Sequence, residues 1–311
     1  MTIAIIAEDF AGMRAQAAGL AERAGQAWTF HPVTRRGIWR HVPARYCPWP
    51  LASMAPFDIP AETRLLLSVG GTGGVAGAAL ARRLGLPIVQ IQNPRMALGR
   101  FDMIVANHHD GVEGPNIVLS RNAMHGVTQD KLSAARDVWC ARLRKPGRRL
   151  IVVLIGGANG RFVFGVPEAR ALGDGLVRMA RESGAVIAVT PSRRTDSQAL
   201  AALRACLVDC DASVWDGTGE NPYLGMLGCA DMIVVTMDSV SMVSEAVATC
   251  APVQVVALPG RSRRISAFIG TLIEAGRVRP FTGHWSDWSV TPLDDTTIAA
   301  GELRRRLGDR L

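Results

Sequence analysis

The chain has 311 residues, 48% apolar and 20% charged, with a net charge of +8. That balance excludes a disordered chain and allows two domains of about 150 residues each, or one large one. No apolar stretch approaches the roughly 20 residues of a bilayer-spanning helix, and Met-Thr-Ile-Ala-Ile-Ile-Ala-Glu-Asp lacks the basic start of a signal peptide, so a cytoplasmic location is expected.

In chain order, Ile3 to Ala7 reads as a strand, followed by a loop through Gly12 and a helix with Ala18, Leu20 and Ala21 as apolar positions. Residues 31–60 carry many Pro and Trp with weak periodicity, which suits a short strand and an irregular connection. Arg64 to Ser68 is then a strand, Gly70 to Gly74 a loop and Val75 to Leu84 a helix of small residues. Pro87–Gln92, Met103–Ala106 and Asn116–Leu119 are short apolar runs between turn signals, as parallel strands require. Residues 128–144 read as a helix with Arg142 and Arg144 in its last turn.

Lys145-Pro146-Gly147-Arg148-Arg149 breaks that helix and reads as the domain linker. The α/β alternation then restarts, with a strand at 150–155, a helix at 167–183, a strand at 185–190 and a helix at 196–206. The expectation is an α/β protein with a first Rossmann-like domain over 1–145 and a second over 150–290. A terminal segment, 291–311, would pack on either domain with a helix from about Thr296 to Leu307.

Basic residues total 35, of which only Lys131 and Lys145 are lysine. They are scattered and the aromatic share is 5%, so a nucleic-acid surface is not expected. The charge suits an anionic ligand or peripheral contact with an anionic membrane surface instead. The six cysteines form no CxxC pair and no zinc pattern, and read as buried free thiols.

The most informative stretch runs from Asp231 to Gly260, a strand, a polar loop, a short helix and a second strand. Asp238 is the expected helix N-cap, Val240, Val243 and Val247 the inward face. Ser241 and Glu245, one turn apart, share a face toward the loop side, where a carboxylate can accept hydrogen bonds from ribose hydroxyls or simply pair with the helix dipole. Two earlier loops end neighbouring strands. Gly156-Gly157-Ala158-Asn159-Gly160 is either an anion nest or a structural turn, and it matches neither the dinucleotide nor the Walker pattern. Arg193-Arg194 suits a diphosphate, with a solvated helix start capped by Thr195 as the alternative. Together these three loops predict a nucleotide or sugar-nucleotide site at one sheet edge.

Asp216 to Tyr223 is a loop that closes over a base or sugar, or an ordinary connection. Asp209-x-Asp211 is placed in a helix-to-strand turn, away from the other strand ends, and no metal is expected. In the first half, His109 beside Asp110 offers a general base, or satisfied imidazoles at a turn. Gln90, Gln92, Asn93, Arg95, Asn122 and His125 form a second polar cluster, expected across an interdomain cleft from the first.

Ile155-Gly156-Gly157-Ala158-Asn159-Gly160-Arg161-Phe162, Ser192-Arg193-Arg194-Thr195, Asn221-Pro222-Tyr223-Leu224-Gly225-Met226-Leu227 and Val234 to Ala246 together resemble the mitochondrial fission ELM family, as do Gln92-Asn93-Pro94-Arg95 and His109-Asp110-Gly111. The resemblance covers nearly the whole chain. It implies a GT-B fold of two Rossmann-like domains facing a cleft, and a nucleoside-diphosphate sugar held mainly by the second, with no obligatory cofactor. By that implication Gly156, Gly157, Asn159, Gly160, Arg193, Arg194, Ser239, Ser241 and Ser244 hold phosphate or sugar, and Glu245 the ribose. His109 and Asp110 would act in catalysis, and Gln92, Asn93 and Arg95 would face an envelope-glycan or lipid-linked acceptor. A fold-retaining adaptor without catalysis and a nucleotide-sugar epimerase remain alternatives. The chain departs from the family pattern at Ala158 and Cys250, where Pro and Gly are expected, and in the opening loop Glu8 to Arg14.

Overall fold

The computed structural model describes residues 2–310. In chain order the elements are β1 (Thr2–Ala7), α1 (Ala11–Arg23), β2 (Ala27–Pro32), β3 (Thr63–Val69), α2 (Gly70–Leu84), β4 (Ile88–Ile91), β5 (Met103–Asn107), β6 (Ile117–Ser120) and α3 (Gln129–Leu143). They continue with β7 (Leu150–Ile155), α4 (Val166–Ser183), β8 (Val186–Pro191), α5 (Ser197–Cys206), β9 (Ala212–Val214), α6 (Tyr223–Cys229) and β10 (Met232–Thr236). The last are α7 (Val240–Val247), β11 (Val253–Val256), α8 (Arg263–Glu274), β12 (Val278–Pro280) and α9 (Asp295–Leu307).

The chain forms two compact units, Met1–Gly126 with Asp294–Leu311, and Val127–Leu293. Each holds a six-stranded sheet of parallel pairs, in the orders β2-β1-β3-β4-β5-β6 and β12-β11-β10-β7-β8-β9. The short apolar runs give strands buried on both faces, as parallel sheets demand; every residue of β7 is buried. In the second sheet the order reverses between β7 and β10, which opens a crevice at their carboxyl ends.

The unit boundary falls earlier than the Lys145–Arg149 break, because α3 belongs to the second unit. Its partner α6 presents glycines: a Cβ on Gly225 would lie 2.3 Å from Trp139 Cγ, and one on Gly228 2.6 Å from the Leu132 carbonyl. Arg136 Nε donates to the Gly228 carbonyl at 2.8 Å, and Arg144 pairs with Asp231 at 2.7 Å. Cys140 and Cys229 are joined in a disulfide across the same contact, correcting the reading of both as free thiols. The remaining cysteines are free; Cys206 ends α5 and Cys210 lies beyond it.

Helix α9 packs on the first unit. Ala299, Ala300, Leu303 and Leu307 join α1's Ala17, Leu20 and Ala21 in one core. Arg121 binds Asp295 at 2.6 Å, and the His125 N–H donates to Thr296 Oγ1 at 3.1 Å. Gly70 to Gly74, expected as a loop, is instead the first turns of α2. The reason is contact: a Cβ on Gly73 would lie 2.5 Å from the Ile6 carbonyl, so only glycine lets the helix settle on β1. Helices α6 and α8 complete the second unit.

Candidate functional site

Strands β10, β7 and β8 are adjacent, with Val235 beside Leu154 and Leu154 beside Thr190. The loops that follow them therefore meet at one sheet edge, as the sequence reading required. Gly156 donates its N–H to Thr236 Oγ1 at 2.8 Å. A Cβ there would lie 2.2 Å from Asp238 Oδ2, and one on Gly157 (φ +123°) would lie 2.4 Å from the Arg194 carbonyl. The glycines are thus demanded by the close approach of the β8 and β10 loops, each pressing on the β7 loop from one side. Gly160 is also left-handed, at φ +74°. Asn159 fixes the turn: its Oδ1 accepts the N–H groups of Arg161 and Phe162 at 3.1 Å, and its amide donates to the Asp238 carbonyl at 3.1 Å.

Arg194 reaches across this loop and pairs with Asp238 at 3.1 Å, while its other amino group leans on the Gly157 and Ala158 carbonyls at 3.4 Å. The Asp238 side chain is fully buried. Burial raises its pKa above the usual carboxylate range; Thr236, Arg194 and the Gly157 N–H restrain the rise. Asp238 is therefore not the N-cap of α7. Ser239 is, accepting the Met242 N–H at 3.5 Å. Likewise Asp196, not Thr195, caps α5, at 2.9 Å from the Ala199 N–H. Thr195 Oγ1 instead donates to the Gly156 carbonyl at 3.0 Å. Arg193 is exposed beside this network.

On α7, Val243 and Val247 are fully buried and Ser241 and Glu245 are partly buried. Ser244 is fully buried, so its hydroxyl faces the interior rather than a ligand. Tyr223, at the start of α6, donates its hydroxyl to Glu245 Oε2. Burial pushes the Glu245 pKa up to about 7, and the Tyr223 hydrogen bond limits the rise. The Tyr223 phenol itself is raised well above its ordinary value by burial and by the Glu245 charge. Asn221 Oδ1 accepts the Tyr223 N–H at 3.0 Å, and Trp215 Nε1 donates to the Thr218 carbonyl at 2.9 Å, so the 216–223 loop is held by its own groups.

Cys250 stands where a helix-ending glycine is usual because Arg277 does that work. Buried to 3% exposure, it donates to the carbonyls of Val247 (2.9 Å), Thr249 (2.7 Å) and Ala251 (3.0 Å). Burial lowers its pKa to about 10. The roles of Tyr223 and Arg277 were not read from the sequence. A tyrosine in a loop and an arginine 30 residues downstream of Val247 carry no local signal of the contacts they make.

Asp211 precedes β9 and so lies at the amino edge of the sheet, opposite this site. Lys145 and Arg148 bind its carboxylate and lower its pKa. Among the described residues no cluster of His, Cys, Asp and Glu is arranged to hold a metal.

In the first unit, Gln92 (φ +72°) and Arg95 (φ +55°) are the described non-glycine residues with left-handed backbone, a strain that recurs at functional loops. The Gln92 amide donates to Gln16 Oε1 at 3.2 Å, and Asn93 Oδ1 accepts the Arg95 N–H at 2.8 Å. Gln90 is a buried hub, donating to the carbonyls of Gly70, Ile91 and Gln92 at 3.1, 2.7 and 3.1 Å and accepting from Ser68 at 2.6 Å. His109 lies 4.0 Å from Asp110, its side chain only 3% exposed. Asp110 also accepts the Asn107 N–H at 3.2 Å, so its carboxylate closes the turn. Asn122 and His125 are buried, the latter under the start of α9, 3.7 Å from Asp294.

The edge formed by β7, β8 and β10 thus presents an exposed arginine, a paired arginine, the first N–H groups of α7 and a carboxylate one turn into that helix. This set can bind an anion and accept hydrogen bonds from a diol. No helix among the described residues is long and apolar enough to cross a membrane.

The family model described as mitochondrial fission ELM1 matches residues 11–307. The mitochondrial fission protein ELM1 of Arabidopsis thaliana is 33% identical over 276 residues, covering 79% of this chain and 64% of the plant protein. The present chain therefore spans less than two thirds of that relative's length. Among solved structures, UDP-GlcNAc 2-epimerase from Neisseria meningitidis, bound to UDP-GlcNAc, is similar at a TM-score of 0.55 and 11% identity, over 99% of this chain and 100% of that one. The MurG structure from Acinetobacter baumannii is similar at a TM-score of 0.54 and 14% identity, over 99% and 92%. The fold is α/β of GT-B type, and the chain belongs to the mitochondrial fission ELM1 family.

Proposed function

We propose that this chain is a cytoplasmic GT-B glycosyltransferase whose second unit binds a nucleoside-diphosphate sugar without an obligatory metal. The observation that carries the reading is Glu245. It is a partly buried carboxylate on the helix that starts beside the glycine loop, held in place by a tyrosine hydroxyl. A carboxylate so placed accepts hydrogen bonds from the ribose hydroxyls, while Arg193, Ser241 and the first N–H groups of α7 meet the diphosphate. As an acceptor hydroxyl bonds to the anomeric carbon, giving its proton to a base, the bond from that carbon to the leaving phosphate oxygen breaks and negative charge grows on the diphosphate. Fixed guanidinium and helix N–H groups stabilise it there. Arg194 contributes its donors not already committed to Asp238 and to the Gly157 and Ala158 carbonyls. The GT-B fold shared with a UDP-GlcNAc-bound epimerase supports a nucleotide-sugar ligand class. As a separate part of the proposal, the charge of +8 supports peripheral contact with an anionic membrane surface.

Isothermal titration against UDP-, GDP-, ADP- and CMP-sugars tests the donor site. We expect one of them to bind, with affinity lost in Glu245→Ala and weakened about tenfold in Arg193→Ala, the loss of one charge-assisted contact. Silence with all four donors would overturn the assignment, as would unchanged binding in both variants.

A second reading has its own observation. The Gly156 N–H is spent on Thr236 and Arg194 on Asp238, so part of the anion site is satisfied by the protein itself. That favours a fold-retaining adaptor, in keeping with a relative named for mitochondrial fission. A stoichiometric protein partner in pull-downs, with nucleotide-site variants still functional in cells, would select it. Turnover of donor without acceptor would select an epimerase instead.

A further inference from the structure

Between β2 and β3 the chain of the first unit runs out to the surface and returns through a narrow neck. The Arg36 N–H donates to the Ser53 carbonyl and the Ala55 N–H to the Thr34 carbonyl, both at 2.8 Å, and Arg35 bridges Met54 in antiparallel sense. Everything from Gly37 to Ala52 is therefore one closed surface loop, of the compact kind whose ends lie together. Val33, Cys47, Ser53 and Met54 are its buried footing. Its outside is unusual for a globular protein: Ile38 is 73% exposed, Trp49 67% and Tyr46 63%.

The charge around these side chains has one sign. No acidic residue occurs between Val33 and Phe57, a stretch that holds Arg35, Arg36, Arg40 and Arg45. Among the described residues none of these arginines pairs with a carboxylate. Arg35 and Arg40 donate to carbonyls of the loop itself, Arg36 donates to the Ala52 carbonyl, and Arg45 stacks over the Tyr46 ring at 4.7 Å. Large apolar side chains scattered singly need no partner, but several on one closed loop amid unpaired like charge mark an interaction surface.

We propose that the Gly37–Ala52 loop is a membrane-docking element that inserts Ile38, Tyr46 and Trp49 into the headgroup region of an anionic bilayer. The chemistry favours this occupant over the others. A second copy of the chain would bring a second set of arginines against the first. A nucleic acid would want a basic groove lined with stacking platforms, whereas the loop exposes an isoleucine that no base can stack on. Interfacial Trp and Tyr, an apolar residue and arginines facing acidic headgroups are the set a lipid surface selects. The site lies in the first unit and stands or falls independently of the donor site in the second.

Co-sedimentation of the full chain tests it, with vesicles of phosphatidylcholine alone and of phosphatidylcholine and phosphatidylglycerol in equal parts. We expect binding to the anionic vesicles only, weakening as salt is raised. Ile38→Ser with Trp49→Ser should reduce it at least tenfold, and Arg36→Ser, Arg40→Ser and Arg45→Ser roughly fivefold per arginine. Thermal unfolding and nucleotide titration of the same variants should match the parent, because the changed side chains are exposed. No binding to either vesicle, equal binding to both, or undiminished binding by the variants would overturn the proposal. So would preferential capture of a single-stranded RNA oligonucleotide through the same arginines.

Discussion

Two glycine-rich segments, Gly70–Gly74 and Gly156–Gly160, follow strands in the two sheets and look alike in composition, yet they fold in opposite ways. The first continues directly into α2, with Gly73 buried where the helix settles against β1. The second stays a loop, because the β8 and β10 loops close on it and because Gly157 and Gly160 are left-handed. The difference teaches that a run of glycines marks close approach and that the neighbour decides its form. In the first unit that neighbour is a strand carbonyl. In the second it is a carboxylate on one side and the arginine's backbone on the other.

Gly157→Ala probes this contrast most severely. Its Cβ would meet the Arg194 carbonyl at 2.4 Å on a backbone of φ +123°. We expect a loss of about 3 kcal/mol in urea unfolding; a loss no greater than that of an ordinary surface substitution would show that the three loops are not locked together.

Charge at the second unit's edge is tested by pH. The folded-state pKa of Glu245 is raised to about 7 from an ordinary 4.5. Its contribution is therefore fully favourable below pH 4.5 and is lost as pH rises through about 7. Glu245→Gln keeps an acceptor for Tyr223 and cannot ionise. Relative to that variant, the parent should lose at most about 3 kcal/mol between those limits. Parallel stability profiles for the two proteins would show that the carboxylate is effectively solvated.

The smallest effect is expected from Gly71→Ala in α2, where an added Cβ meets nothing within 4 Å. Stability should rise by about 0.5 kcal/mol through helix propensity. A fall would mean that the glycines of α2 are all needed for contact, like Gly73, and the contrast between the segments would weaken.

Much of the architecture was legible because parallel strands buried on both faces leave continuous apolar runs: Leu150–Ile155 and Met232–Thr236 stand out without any partner in view. That the loops with Gly156–Gly160, Arg193–Arg194 and Ser239–Glu245 meet was legible for the same reason, since loops after such strands share an edge. The pairing of Arg194 with Asp238, the capping of α7 by Arg277 and the hold of Tyr223 on Glu245 were not. Each joins residues 22 to 44 positions apart, and spacing carries no trace of it. Nor could the sequence assign α3, whose attachment to α6 depends on Gly225 and Gly228 meeting Trp139 and Leu132.

By itself the sequence determined two α/β units, the strand-loop-helix grammar of each, and the set of side chains gathered at one sheet edge, because apolar periodicity and turn chemistry are local. The tertiary structure alone decided which N–H groups, hydroxyls and charges at that edge are spent on one another, and which helix belongs to which unit. Those outcomes depend on distances of a few ångströms between segments remote in the chain.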